Sequence, residues 1–139
     1  MSEANKELVR RFFKGIDTGD PAVLQEFIAQ DYDDHSPPPF PDLPPGLAGS
    51  RKAFDYALGA FSDFVHEIED QIAEGDKVVS RIKAQGKHSG DFLGIPPTGK
   101  EVTMTGIAVH RIANGKIVEH WGQIDALGLF QQLGAFPPG

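Results

Sequence analysis

From Glu3 to Ile16 the apolar residues Leu8, Val9, Phe12, Phe13 and Ile16 recur at the spacing of three and four that gathers them on one face of a helix. Asp20-Pro21 is a helix start signal: an aspartate carboxylate accepts from free helix amides, and a proline in the first position has no amide to leave unpaired. A short second helix follows to about Ile28, burying Val23, Leu24, Phe27 and Ile28. Between His35 and Gly49 stand six of the chain's eleven prolines, in SPPPFPDLPPG. Proline supplies no backbone donor, so this run suits neither a helix interior nor a central strand and reads as a loop or lid. Ser50 is placed to cap a third helix carrying Phe54, Leu58 and Phe61. After Phe64 the period changes to two. Residues 65–74, 77–88, 101–112 and 116–124 read as four strands, separated by Gly75-Asp76, by GDFLGIPPTGK and by Asn114-Gly115. Three helices followed by an antiparallel meander is an α+β pattern, with the helices packed into one face of a curved sheet.

The hairpin at Asn114-Gly115 decides which side chains share a face. A strict two-residue turn sets Trp121 opposite Ala108, whereas a bulge at Gly115 pairs Ala108 with His120. The bulged register is preferred, because it gathers the small residues Gly106, Ala108 and Gly122 on one face with His110 and His120, and small residues leave room for a ligand. Ile107, Val109, Ile117 and Trp121 then share the opposite face, which suits a sheet-to-sheet homodimer contact.

Composition narrows the possible functions. At 139 residues with 40% hydrophobic content, the chain fits one domain over residues 1–139 and is too short for two. A net charge of −7 argues against nucleic-acid binding, which needs clustered Lys and Arg. The absence of cysteine excludes disulfides, thiolate metal sites and a cysteine nucleophile. The start MSEANKELVRRFF is amphipathic and charged, unlike an export signal, and no stretch approaches the ~20 apolar residues of a membrane span. A cytoplasmic protein with a small apolar molecule as partner is the expectation.

Six stretches in order, NKELVRRFF, YDDHSP, EGDKVVSR, GKHSGDFLGIPPTGK, RIANGKIVEHW and DALGLFQQLG, resemble the SnoaL-like polyketide cyclases and ester cyclases of the nuclear-transport-factor-like cone fold. The resemblance covers nearly the whole chain. It implies a cone with an internal cavity, commonly a homodimer, working without metal or organic cofactor. It also implies an acid–base His and Asp on the last two strands, three residues before the Arg-Ile pair and two after the final-strand His. Here those positions are Ala108 and Gly122, so that mechanism does not transfer and any chemistry comes from other side chains.

His35, after Asp31, Asp33 and Asp34, is a candidate for the cavity mouth with its pKa raised by those carboxylates, or else a loop histidine bonded to backbone. His88 shares a strand parity with Ile82, Ala84 and Gly86 and ends before a glycine-rich loop, a rim position. His110 and His120 face each other across the hairpin, as a base near neutral pH or as satisfied structural histidines. Asp125 closes the last strand, as an acid–base group or as the cap of a short C-terminal helix. His35, His88, His120 and Asp125 are thus the candidate catalytic residues. Met104, Gly106, Ala108, His110, Gly122 and Ile124 are expected to line the cavity, joined by Glu119 and Trp121 in the unbulged register. GIPPTGK lacks the spacing of a phosphate loop and reads as a rigid turn. The leading function is cofactor-independent cyclisation, isomerisation or hydration of a polyketide-like substrate. Its rivals are a non-catalytic carrier and a limonene-type epoxide hydrolase, whose Asp-Arg-Asp relay needs an inward arginine that neither Arg81 nor Arg111 supplies.

Overall fold

The computed structural model describes residues 2–135. The elements run α1 (Ser2–Ile16), α2 (Ala22–Phe27), β1 (Ile28–Asp34), α3 (Gly46–Ala60), β2 (Phe61–Glu74), β3 (Lys77–His88), β4 (Glu101–Ala113), β5 (Lys116–Ile124) and α4 (Ala126–Gln132). They form an α+β fold with a curved, unclosed five-stranded sheet in the order β1-β5-β4-β3-β2. No described helix is long and apolar enough to cross a membrane.

Three expectations need correction. A strand, β1, stands between the second and third helices, so Ile28 opens a strand rather than closing α2. Because β1 runs parallel to β5, the sheet is mixed rather than antiparallel throughout. The sequence IAQDYDD hides this strand, since its carboxylates disfavour strand and the pairing with β5 supplies what propensity does not. Finally, α3 begins at Gly46, not at Ser50, and ends before Phe61; Leu58 on it is 40% exposed. Gly49 is required in its first turn, where a Cβ would lie 1.9 Å from the Pro44 carbonyl oxygen. The prolines at 37–45 lie outside every helix and strand, as expected.

The β4–β5 register matches neither predicted pairing. Ala113 faces Lys116 and Ile112 faces Ile117, around a turn with positive φ at both Asn114 and Gly115. Val118 is then an extra residue, and beyond it Arg111 faces Glu119, His110 faces His120 and Ala108 faces Gly122. The bulge therefore lies within β5 rather than at the turn. It still brings Gly106, Ala108, His110, His120 and Gly122 to one face, with Ile107, Val109 and Trp121 on the other. Ile117 precedes the bulge, so it points into the core and is 1% exposed, not on the outer face.

The core is in two pieces. Val9, Phe12, Leu24, Phe27, Phe54, Val78 and Ile117 pack at one end, where α1, α2 and α3 meet the sheet. Phe61, Phe92, Val102, Leu129 and Leu133 pack at the other, under α4 and the loop after β3. Between the two, the inward positions of β4 and β5 carry Gly106, Ala108 and Gly122. These small residues let neighbouring groups approach the backbone closely: a Cβ on Gly106 would lie 2.8 Å from the Gln123 carbonyl oxygen and one on Gly122 2.8 Å from His120 Nε2.

Candidate active site

Parallel pairing of β1 with β5 puts Asp34 level with His120, both on the inward face. The His120 Nδ1–H donates to Asp34 Oδ1 at 2.9 Å. The same oxygen accepts the Ser36 amide at 2.9 Å, and the Ser36 hydroxyl accepts the Gly122 amide at 3.0 Å, which ties the start of the proline segment to β5. Burial alone would raise the Asp34 pKa, but the hydrogen bond and charge of His120, the Ser36 amide and His110 together hold it below the usual value. Asp34 is thus an ionised partner that keeps a hydrogen on His120 Nδ1, so that in the neutral ring Nε2 is the nitrogen with the lone pair. That nitrogen has no hydrogen-bond partner among the described residues.

His110 lies beside His120, ring centres 5.0 Å apart, with Phe12 and Phe13 set edge-on against it at 6.0 and 5.9 Å. It is buried and its Nδ1 is unpaired. Burial first, then the charge of His120, push its pKa down to about 3 against the opposing pull of Asp34, so His110 is neutral near physiological pH. Burial, followed by the charge and hydrogen bond of Asp34, raises the Tyr32 phenol far above its ordinary range. A cleft of about 280 Å³ opens beside Asp34, walled by Tyr32, Pro37, Pro44, Gly49 and Ala53 from β1, the proline segment and α3.

Of the candidates read from the sequence, His110, His120, Ala108, Gly122 and Gly106 come together. Met104 is half-buried on the same inward face, against the second cluster. Ile124 is 60% exposed at the end of β5, its Cγ2 3.0 Å from where a Gly106 Cβ would lie. His88 is not at a rim: it is fully buried, and its Nδ1 accepts the Thr98 amide at 3.2 Å, pinning the loop after β3. Asp125 caps α4 by accepting the Gly128 amide at 2.9 Å.

His35 and Trp121 lie on the other face of the sheet. Their rings stack 4.6 Å apart, and His35 Nε2 meets Glu119 at 2.8 Å and Asp33 at 3.5 Å. Neither is on the inward face, because the β1–β5 register that turns Asp34 and His120 inward turns their neighbours outward. Asp33, His35 and Glu119 have the donor atoms of a metal site, but Glu119 is already bound by Arg111, and the cluster is better described as an ion-pair network. Asp34 was legible only as a charge near His35; its partnership with His120 depends on the unforeseen strand β1.

A profile of the family described as SnoaL-like polyketide cyclase matches residues 6–133. The aklanonic acid methyl ester cyclase DnrD of Streptomyces peucetius is 34% identical over 132 residues, covering 92% of this chain and 89% of that protein. The nogalonic acid methyl ester cyclase of Streptomyces nogalater is 30% identical over 124 residues, covering 86% and 89%. The structure of TsrD from Streptomyces laurentii superposes with a TM-score of 0.86 at 30% identity, over 96% of this chain and 97% of that one. With the profile spanning nearly the whole chain, this protein belongs to the SnoaL-like polyketide cyclase family.

Proposed function

We propose that the protein is a cofactor-independent proton-transfer enzyme that cyclises or isomerises a polyketide-like ester, with His120 as base and Asp34 as the group that orients it. The observation that carries this reading is the hydrogen bond between His120 and Asp34 on the inward face, beside a histidine that is neutral. In the family's ring-closing cyclases the resemblance puts the acid–base pair at positions 108 and 122, which face each other directly here. One step along the same face, two residues or about 7 Å away, His110 faces His120. A Cβ on Gly122 would lie 2.8 Å from His120 Nε2, so the imidazole fills the space into which the missing side chain would extend. His120 can take a proton from a carbon acidified by adjacent carbonyl groups, while Asp34 stabilises the imidazolium that forms.

Aklanonic and nogalonic acid methyl esters, named for the relatives' reactions, are the first substrates to offer. In deuterated water, ring closure or deuterium exchange at an acidic carbon is the expected result. Binding with neither event favours the carrier. The epoxide hydrolase gains no support, since Arg81 pairs with Glu69 and Arg111 with Glu119 on the outer face.

We infer also that two copies pack through the outer sheet face. Ile72, Val79, Val109 and Trp121 are successive partners across β2, β3, β4 and β5, an unbroken apolar row. Ile72 is 66% exposed and neighbouring Ile107 52%. Stacking on His35 holds the Trp121 ring in place as an anchor. Trp121→Ala should weaken the dimer about 10- to 100-fold in sedimentation, as loss of a central aromatic anchor does. A parent protein that sediments as a monomer overturns this.

A further inference from the structure

The inward face holds a second carboxylate-held imidazole that the reading above does not use. On β2, His66 alternates with exposed Val65 and Glu67, so it shares the inward face with Phe64 and Ile68, and its strand partner Ala84 is buried. Asp17, just beyond α1, engages it twice: Oδ2 accepts the His66 amide at 2.8 Å, and Oδ1 accepts the ring Nδ1–H at 2.7 Å. A carboxylate only accepts, so the hydrogen sits on Nδ1, and in the neutral ring the lone pair is on Nε2. Phe13 and Phe64 contact the ring with centres 5.1 and 5.0 Å away, which hinders its turning over. The side chain is 16% exposed. Its Nε2 has no hydrogen-bond partner among the described residues and, unlike His110 Nδ1 and His88 Nε2, is not sealed from solvent.

Phe13 touches both His66 and His110, and His110 touches His120. The pairs Asp17–His66 and Asp34–His120 therefore approach one seam of the fold from β2 and from β5, each with Nδ1 held and Nε2 open. Phe13 belongs with the first apolar cluster and Phe64 with the second, so His66 stands where the two meet, against an aromatic ring of each.

We infer that His66, held by Asp17, is a second polar anchor of the cavity, whose Nε2 accepts a hydrogen bond from the phenolic or enolic hydroxyl of a fused-ring ligand. This deepens the proposed function and rests on it in taking the ligand to lie in this cavity. An open acceptor among aromatic walls selects an O–H donor, because an ether or carbonyl oxygen would meet it lone pair to lone pair. His66 is a positioning residue: it holds the ligand while His120 moves the proton.

Two ligands of one shape, 2-naphthol and 2-methoxynaphthalene, separate anchoring from a purely structural role for the Asp17–His66 tie. Binding is measured near neutral pH by fluorescence titration to the parent, His66→Phe and His120→Gln proteins, with the ring nitrogens of ¹⁵N-histidine-labelled parent followed by NMR. The parent should favour the naphthol about tenfold or more, roughly the worth of one hydrogen bond to a desolvated group. His66→Phe should erase that preference and His120→Gln should keep it, and the His66 Nε2 resonance should move with the naphthol alone. A parent that binds neither ligand or does not discriminate, a His66→Phe protein that discriminates as the parent does, or an unmoved His66 resonance each overturns the inference. If His66→Phe fails to fold, the NMR arm on the parent decides. A parent that holds the naphthol through His66 yet neither closes nor exchanges the esters separates the two readings: the anchor stands and the catalytic assignment falls.

Discussion

His120→Gln is expected to lower kcat on a productive ester by about 10²- to 10⁴-fold, the range lost when a positioned acid–base group is removed, with KM little changed. Glutamine keeps much of the polarity and bulk beside Asp34 but cannot take the proton. Asp34→Asn should fall between this variant and the parent. The asparagine retains shape and a hydrogen-bonding amide, yet it loses the charge that favours the imidazolium and the constraint that keeps the hydrogen on Nδ1. His35→Ala serves as the control, since it removes the histidine that stands nearest Asp34 in sequence but lies on the opposite face, stacked on Trp121. Activity should survive it. If His120→Gln retains kcat within about threefold, far inside the loss expected of an acid–base group, or if His35→Ala loses it, the inward dyad is not the catalytic base.

Much of the architecture was legible because hydrophobic period reports directly on burial. The stripe from Leu8 to Ile16 is α1, and the change to period two near Phe64 marks the sheet within a few residues. The inward set on β4 and β5 was readable as a parity, although the pairings were not. A parity survives an even error in register, and the bulge at Val118 shifts His120 and Gly122 together. The outer placement of Ile117 failed for the same reason, since it lies on the other side of that bulge. β1 escaped because a strand written as IAQDYDD carries its apolar residues too sparsely to show alternation. That omission concealed the site, for Asp34 reaches His120 only through the β1–β5 pairing. The cap that Asp125 provides to α4 was one of the two readings the sequence offered, whereas His88 illustrates a different limit. Its structural use, holding Thr98, depends on a backbone amide brought close by the loop after β3. His66 gave a usable signal that went unread: it alternates with Phe64 and Ile68, and a histidine on an apolar face is worth pairing with every nearby carboxylate.

Acid should destabilise the protein through His110 before it reaches the carboxylates. The folded-state pKa of His110 is about 3, below its ordinary value of 6.5. Above 6.5 both folded and unfolded chains carry it neutral and there is no penalty. As pH falls below that value the unfolded chain takes up a proton the folded chain refuses, and stability declines by about 1.4 kcal/mol per pH unit until the folded-state value is approached. Asp34 works in a lower window. Its folded pKa lies below the ordinary 3.8, so its contribution is present above that value and is lost as pH falls through the folded one. Across weakly acidic solution the two effects therefore separate. His110→Phe replaces the ring with one of similar size between Phe12 and Phe13, and removes the proton uptake while keeping the apolar packing. Urea unfolding from neutral pH down to about pH 4.5 should show the parent losing on the order of 2–3 kcal/mol, with His110→Phe losing clearly less. Parallel losses in the two proteins would sink the assignment of a neutral, buried His110. The same neutrality bears on catalysis, because an uncharged His110 lets His120 take a proton without a second imidazolium 5.0 Å away.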